Sequence, residues 1–309
     1  MSAHSDDAQP LGTPPAEVAV DAILVRALLE DQHPDLARLV LAAVASGWDN
    51  AMFRLGDTLA VGLPRRQLTA ALIEREQTWL PRLASRLPLP VPSPLRIGRP
   101  GHGFPWSWSL VPWLPGEAAD LAPPEPEEAE RLAGFLRALH TNAPPGAPTN
   151  PFRGVPLQER RAVVDARLDR LRSTTSLVDE ALLEAWQAAL SAPIADQGCW
   201  VHGDLHARNV LVHAGRFSAV IDWGDLCRGD PATDLASVWS LFDDVEARRR
   251  VVRSYGPRPA GVWLRALGWA VSFGTVLLET GLADHPRHAR MGGDILRRVA
   301  EGPAPLELI

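Results

Sequence analysis

Lysine is missing from this chain: all 31 basic residues other than histidine are arginine. Any role that chemistry usually gives to an ε-ammonium group falls to a guanidinium or goes unfilled. Cysteine is nearly missing, with Cys199 and Cys227 the only two. That is too few for a disulfide framework or a zinc site, so both read as small buried hydrophobes. An excess of positive charge is also lacking. The net charge of −6 argues against nucleic acid, which wants a basic face, and suits a cationic small molecule. No unbroken apolar run approaches the ~20 residues of a membrane span. The start, "MSAHSDDAQPLGTPP", lacks the basic and apolar regions of a secretory signal. The expectation is a cytoplasmic protein with no membrane partner, a disordered tail over 1–15, and a monomeric or homodimeric state.

What is present is an ordinary globular composition, 46% hydrophobic and 22% charged over 309 residues, enough for one large domain or two lobes. Apolar spacing predicts a helix from Val18 to Gln32. "LVLAAVAS", "AMFRLGD" and "TLAVGLP" read as strands, the last two joined at Gly56 and Asp57. "RQLTAALIEREQTWLPRLASRL" is an amphipathic helix ending before a proline-rich stretch, and "LRIG" and "WSWSLVPWL" are further strands. Past "PGE" the pattern turns helical, interrupted by a strand at "GCWVHGDL" and a hairpin "NVLVHAGRFSAVID" turning at Ala214 and Gly215. The fold class expected is α+β. Residues 16–114 form a small antiparallel sheet with one helix, a connector lies at 111–115, and 116–309 form a larger, mainly helical part with a short hairpin.

Chemistry concentrates in "VHGDLHARNVLV" and the hairpin after it. A loop carboxylate (Asp204), an amide five residues on (Asn209) and a second carboxylate at the hairpin's end (Asp222) are the parts phosphoryl transfer needs. One acid accepts the proton of an attacking hydroxyl, while the amide and the other acid offer oxygen to magnesium. Asp230, before a proline, reads as a turn former, and Asp234 as the N-cap of the helix that follows; Asp225 stays open. Asp243, Asp244, Glu279, Asp284 and Trp269 are candidate lining for an acceptor site, against the alternative of solvated helix faces.

"HGDLHARNVLV" with "AVIDWGDLCRGDPATDLA" resembles the signature of the aminoglycoside phosphotransferase family, small-molecule kinases with a protein-kinase-like fold. "GWDNAMFRLGD", "EREQTWLPRL", "LPLPVPSPL" and "WLPGE" resemble that family's N-terminal lobe in the same order. The resemblance implies two lobes and transfer of a γ-phosphate from ATP or GTP, with Mg2+, to a hydroxyl of a small molecule, an aminoglycoside or other antibiotic among the candidates. It implies Asp204 as base and Asn209 and Asp222 as metal ligands. His202 braces the loop; His206 either meets the γ-phosphate or packs the loop. Gly47, Trp48, Asp49 and Asn50 form a turn over the phosphates, Ala60 an adenine ceiling, and Glu76 the acidic partner of a phosphate-gripping base. The Pro112 carbonyl and Leu114 amide would read the adenine edge; proline keeps the carbonyl needed there. One position departs. Where such relatives would have Arg on the third strand, this chain has Gly62. Arg65, Arg66 and Arg54 are the candidate replacements, and a catalytically weakened, nucleotide- or ligand-binding protein is the alternative reading.

Overall fold

The structure, a computed structural model, describes residues 15–44, 49–194, 198–257 and 261–302. The chain divides into two compact units: 15–115 with 218–225, and 116–217 with the residues from 226 onward.

In the first unit, helix α1 (Ala22–Gln32) starts later than the apolar spacing predicts, because the Asp21 carboxylate accepts the Leu24 amide at 2.8 Å and caps it there. Five strands follow: β1 (Leu41–Ala43), β2 (Asn50–Leu55), β3 (Leu59–Pro64), β4 (Arg96–Gly98) and β5 (Trp108–Pro112). They form an antiparallel sheet in the order β1-β2-β3-β5-β4. "LVLAAVAS" supplies only the three residues of β1, a short outer strand. Between β3 and β4 runs α2 (Gln67–Ala84), as its spacing predicts, with Pro81 in its last turn. The core joins Val25, Leu28 and Leu29 of α1 to Phe53, Leu55, Val61 and Leu63 of the sheet and to Trp108.

The second unit is mainly helical. It contains β6 (Glu117–Ala118), α3 (Ala129–Leu139), α4 (Arg161–Arg172), α5 (Glu180–Leu190) and β7 (Cys199–Val201). Next come β8 (Val210–His213), β9 (Arg216–Val220) and β10 (Cys227–Gly229), then α6 (Ala232–Leu235), α7 (Ser237–Leu241), α8 (Val245–Tyr255), α9 (Val262–Asp284) and α10 (Pro286–Ala300). β6 and β9 flank β8, and β7 pairs antiparallel with β10. The hairpin turns where expected: Ala214 and Gly215 have φ of 49° and 76°, the positive pair that suits a tight two-residue turn. α9 is long and apolar enough, by length and composition, to cross a bilayer, because Arg265 and the charged residues near its end only interrupt an otherwise apolar stretch. Most of it is buried, packed against α4, α5, α6 and α10. Of the two cysteines only Cys227 is buried; Cys199 is half-exposed.

Candidate active site

In the second unit the loop after β7 places Asp204 with its side chain about a quarter exposed (23%). Its carboxylate receives Arg153 Nη2 at 3.4 Å on Oδ1, and His206 Nε2 at 3.3 Å and Asn209 Nδ2 at 3.2 Å on Oδ2. The same Asn209 amide donates to the Asp204 backbone carbonyl at 2.9 Å. Asn209 can reach both because the chain coils into a single 3-10 turn over Ala207–Asn209, capped by His206, whose Nδ1 accepts the Arg208 amide at 3.3 Å. With Nδ1 accepting, Nε2 carries the proton and donates to Asp204. Both ring nitrogens of His206 are thus engaged inside the loop. His202, fully buried, braces the loop: its Nδ1 accepts the Asp204 amide at 3.2 Å. Burial pushes the Asp204 carboxyl upward, but His206, Arg153 and His202 more than offset this and hold it well below the usual carboxylate range.

Asp234 is not the helix cap expected of it. It lies inside α6, and its fully buried carboxylate accepts the His202 amide at 2.7 Å and the Gly203 amide at 2.9 Å. His140 Nε2 sits 3.2 Å from the same carboxylate, and His140 Nδ1 is 2.7 Å from the hydroxyl of Tyr255, the chain's one tyrosine. A buried Tyr255–His140–Asp234 chain therefore fixes the backbone just before Asp204. Asp230 does form its turn, accepting the Ala232 amide at 3.0 Å, and also pairs with the buried Arg265 at 2.6 Å.

In the first unit, Asp222 has φ of 63°, a left-handed conformation that costs a non-glycine residue energy and marks functional loops. Asn209 donates through Nδ2, and its Oδ1 accepts no hydrogen bond among the described residues. The Asn209 amide oxygen and the Asp222 carboxylate are each hard oxygen donors of the kind magnesium takes. Among the described residues no cluster of three or more His, Cys, Asp or Glu could hold a metal by itself.

Glu76 on α2 shows what Gly62 removes. Its carboxyl is pushed up to about 8, first by burial, with Asp49 and Asp225 adding to the rise and the Trp223 amide opposing it; no cation acts on it. Two of the replacement arginines are occupied elsewhere: Arg66 pairs with Asp49 at 2.8 Å, and Arg54 lies over the Trp113 ring at 5.0 Å. The backbone amide of Arg65 bonds to the Asp49 carbonyl at 2.9 Å. Arg75, adjacent to Glu76 and not foreseen, reaches the Gly224 carbonyl at 3.4 Å. Opposite Gly62 on β2 stands Met52. Ala60 is buried on β3, Pro112 ends β5, and the Leu114 amide makes no backbone hydrogen bond among the described residues. Asn50 begins β2 with its Oδ1 buried and unpartnered. Gly47 and Trp48 lie outside the described residues.

A cavity of about 820 Å³ opens in the second unit, lined by Ala207 of the loop after Asp204, by Ser240 and by one side of α10. Asp243 and Asp244 line it. The other expected lining residues do not: Trp269 is fully buried, Glu279 is held by Arg170 at 2.6 Å and Arg167 at 3.4 Å, and Asp284 ends α9. Arg153, His140 and Asp234 could not be read from the sequence as supports for Asp204. They are distant in the chain, and only packing brings them to the loop.

Solved structures of phosphotransferases share this fold. The GDP complex of aminoglycoside 2'-phosphotransferase-IIIa superposes with a TM-score of 0.64 at 18% identity, covering 91% of this chain and 99% of that one. Macrolide 2'-phosphotransferase type I superposes at 0.57 and 23% identity, covering 90% and 97%. At these identities the likeness establishes the fold. The chain belongs to the phosphotransferase enzyme family, whose profile matches residues 40–269. Thiamine kinase of Escherichia coli O157:H7 is 30% identical over 180 residues, and that of Shigella boydii serotype 4 is 29% identical over the same length. The chain spans about 60% of the length of these curated relatives, through 57% of its own.

Proposed function

We propose that this protein transfers the γ-phosphate of a nucleoside triphosphate to a hydroxyl of a small molecule, with Asp204 as base. The observation that carries the reading is the Asp204 carboxylate itself: ionised, partly open to solvent, and aimed by donors from Arg153, His206 and Asn209. Held this low, it is a weak base. Its task is to orient the acceptor hydroxyl and take its proton late, as the acceptor oxygen bonds to the γ-phosphorus and the bond to the departing diphosphate breaks. Asn209 and Asp222 would hold magnesium, which neutralises phosphate charge when bound. The Pro112 carbonyl and Leu114 amide would take the base of ATP or GTP, and the cavity beside Ala207 would take the acceptor. The relatives' names offer thiamine, aminoglycosides and macrolides as acceptors to try.

A second reading has its own observation. Glu76 is without a cation at the position where the phosphates would be gripped, which favours slow turnover or binding alone. The deciding experiment is magnesium-dependent ATP and GTP turnover with an acceptor panel, on wild type, Asp204→Ala and Gly62→Arg. Turnover that Asp204→Ala reduces ~10³-fold or more supports the kinase reading. Turnover that ignores Asp204→Ala rejects it, and turnover seen only in Gly62→Arg establishes the weakened form.

A further inference from the structure

Asp222 holds a backbone conformation, φ 63°, that a non-glycine residue keeps only where its surroundings impose it. Its neighbours in the first unit show what imposes it. Val220 is tied by its amide to the Pro90 carbonyl at 3.0 Å. Trp223 is fully buried, and its Nε1 donates to the Val220 carbonyl at 3.0 Å. The Trp223 backbone amide donates to Glu76 of α2. One residue on, Arg75 Nη1 reaches the Gly224 carbonyl at 3.4 Å. A Cβ on Gly224 would stand 3.2 Å from Leu72 Cβ and 3.7 Å from Glu76 Oε1. Leu72, Arg75 and Glu76 of α2 thus pack on the two residues that follow Asp222.

The state of the Glu76 carboxyl decides what kind of bond this is. Burial first, and then its like-charged neighbours Asp49 and Asp225, push it up to about 8, with the Trp223 amide opposing. No cation offsets them, and the β3 position that would carry one is Gly62. An uncharged carboxylic acid still keeps a carbonyl oxygen that accepts an N–H. Resting on the reading that Asp222 holds magnesium, we infer that Glu76 is a positioning residue: it accepts the Trp223 amide through an uncharged oxygen and so holds the Asp222 carboxylate in place for the metal. The task left to Glu76 is shaping a loop, not pairing with a phosphate-gripping base. Charge is dispensable for that task, whereas an acceptor oxygen at that reach is not.

Two substitutions separate the acceptor from the charge. Glu76→Gln keeps an oxygen at the same reach without charge, and Glu76→Met keeps the bulk without the oxygen. Hydrogen exchange of the Trp223 amide is followed by NMR on the full chain, with neither nucleotide nor metal present. In Glu76→Met it should quicken at least ~10-fold, as for one lost hydrogen bond, while the amides of β2 and β3 keep their rates. In Glu76→Gln it should be no faster than in wild type. Calorimetry with the magnesium complex of a non-hydrolysable ATP analogue should follow the same order. Glu76→Met should bind it about tenfold more weakly and Glu76→Gln as wild type does. Unchanged exchange in Glu76→Met, or a Glu76→Gln that behaves like Glu76→Met in either measurement, overturns the inference. Quickening shared equally by β2 and β3 makes Glu76 a general packing residue and overturns it too, as does equal nucleotide affinity in all three proteins. Because exchange is read without ligands, the hold on the loop can fail while the kinase reading stands. A wild type that binds no magnesium nucleotide fails the kinase reading, and the metal-directed half of the inference falls with it.

Discussion

Around Asp204 the donors differ in what they do. Asn209 and His206 belong to the same short turn, whereas Arg153 arrives from a loop 51 residues earlier and also lies over the Phe273 ring at 5.1 Å. Arg153→Ala removes one charge-assisted hydrogen bond from the base and should lower kcat by ~10-fold, on the order of 1.5 kcal/mol, with nucleotide affinity unchanged. Arg153→Lys should recover part of that loss, and an unaltered kcat in Arg153→Ala would exclude the contact from the mechanism. Asp234→Asn replaces an acceptor of two backbone amides by a group with one acceptor oxygen, in a fully buried site. It should cost about 2–3 kcal/mol in urea unfolding and lower kcat as well, because Gly203 and His202 lose their anchor. Retained stability would show that the asparagine is accommodated.

Among the elements, α9 and α10 pack closely, and their approach depends on glycine. A Cβ at Gly292 would stand 2.3 Å from the Leu278 amide nitrogen, and one at Gly281 would stand 2.1 Å from that of Ala289. Backbone cannot yield as a side-chain tip can. Gly292→Val should therefore destabilise the protein by ~3 kcal/mol or more, measured by urea unfolding, and displace the arginine-bearing side of α10. β3 behaves oppositely. A Cβ at Gly62 would meet Met52 Sδ at 3.1 Å, the end of a flexible chain that can rotate away. Gly62→Arg should fold with a melting temperature within ~3 °C of wild type. A larger fall would mean that glycine at 62 is required by packing.

For the molecule as a whole, three displaced titrations shape stability against pH. Glu76 rises from 4.5 to about 8, so its contribution is complete below pH 4.5 and is lost as pH climbs toward 8. His288 falls from 6.5 to about 3, through burial first and then Arg208, so its contribution is present above 6.5 and is lost as pH drops toward 3. Asp204, held below 3.8, adds loss at the acid end. Between 4.5 and 6.5 the first two oppose each other. The melting temperature should therefore be flat across that window and fall on both sides. Glu76→Gln should replace the plateau by a rise up to pH 6.5 and remove the fall between 6.5 and 8, with a gain at pH 8 of about 2 kcal/mol or more. A wild-type profile still rising between pH 6.5 and 8 would contradict this.

The sequence alone determined the element order, because strand and helix periods are written locally in the spacing of apolar residues. It also determined the chemistry of the loop, because Asp204, His206 and Asn209 are joined by a turn only a few residues long. It placed the Ala214–Gly215 hairpin and flagged Gly62. It could not show that Glu76 is left without a cation, since that depends on where Arg54 and Arg66 point. Nor could it reveal Asp234 as the anchor of the Gly203 and His202 amides, or Arg153 as a partner of Asp204. The tertiary structure alone decided which charges beside the loop are paired: Asp120 and Asp243 are held by arginines of α10, whereas Asp244 and Arg290 have no charged partner among the described residues. Charge composition is a sum over the chain, whereas recognition depends on which charges remain unpaired once packing has matched the rest.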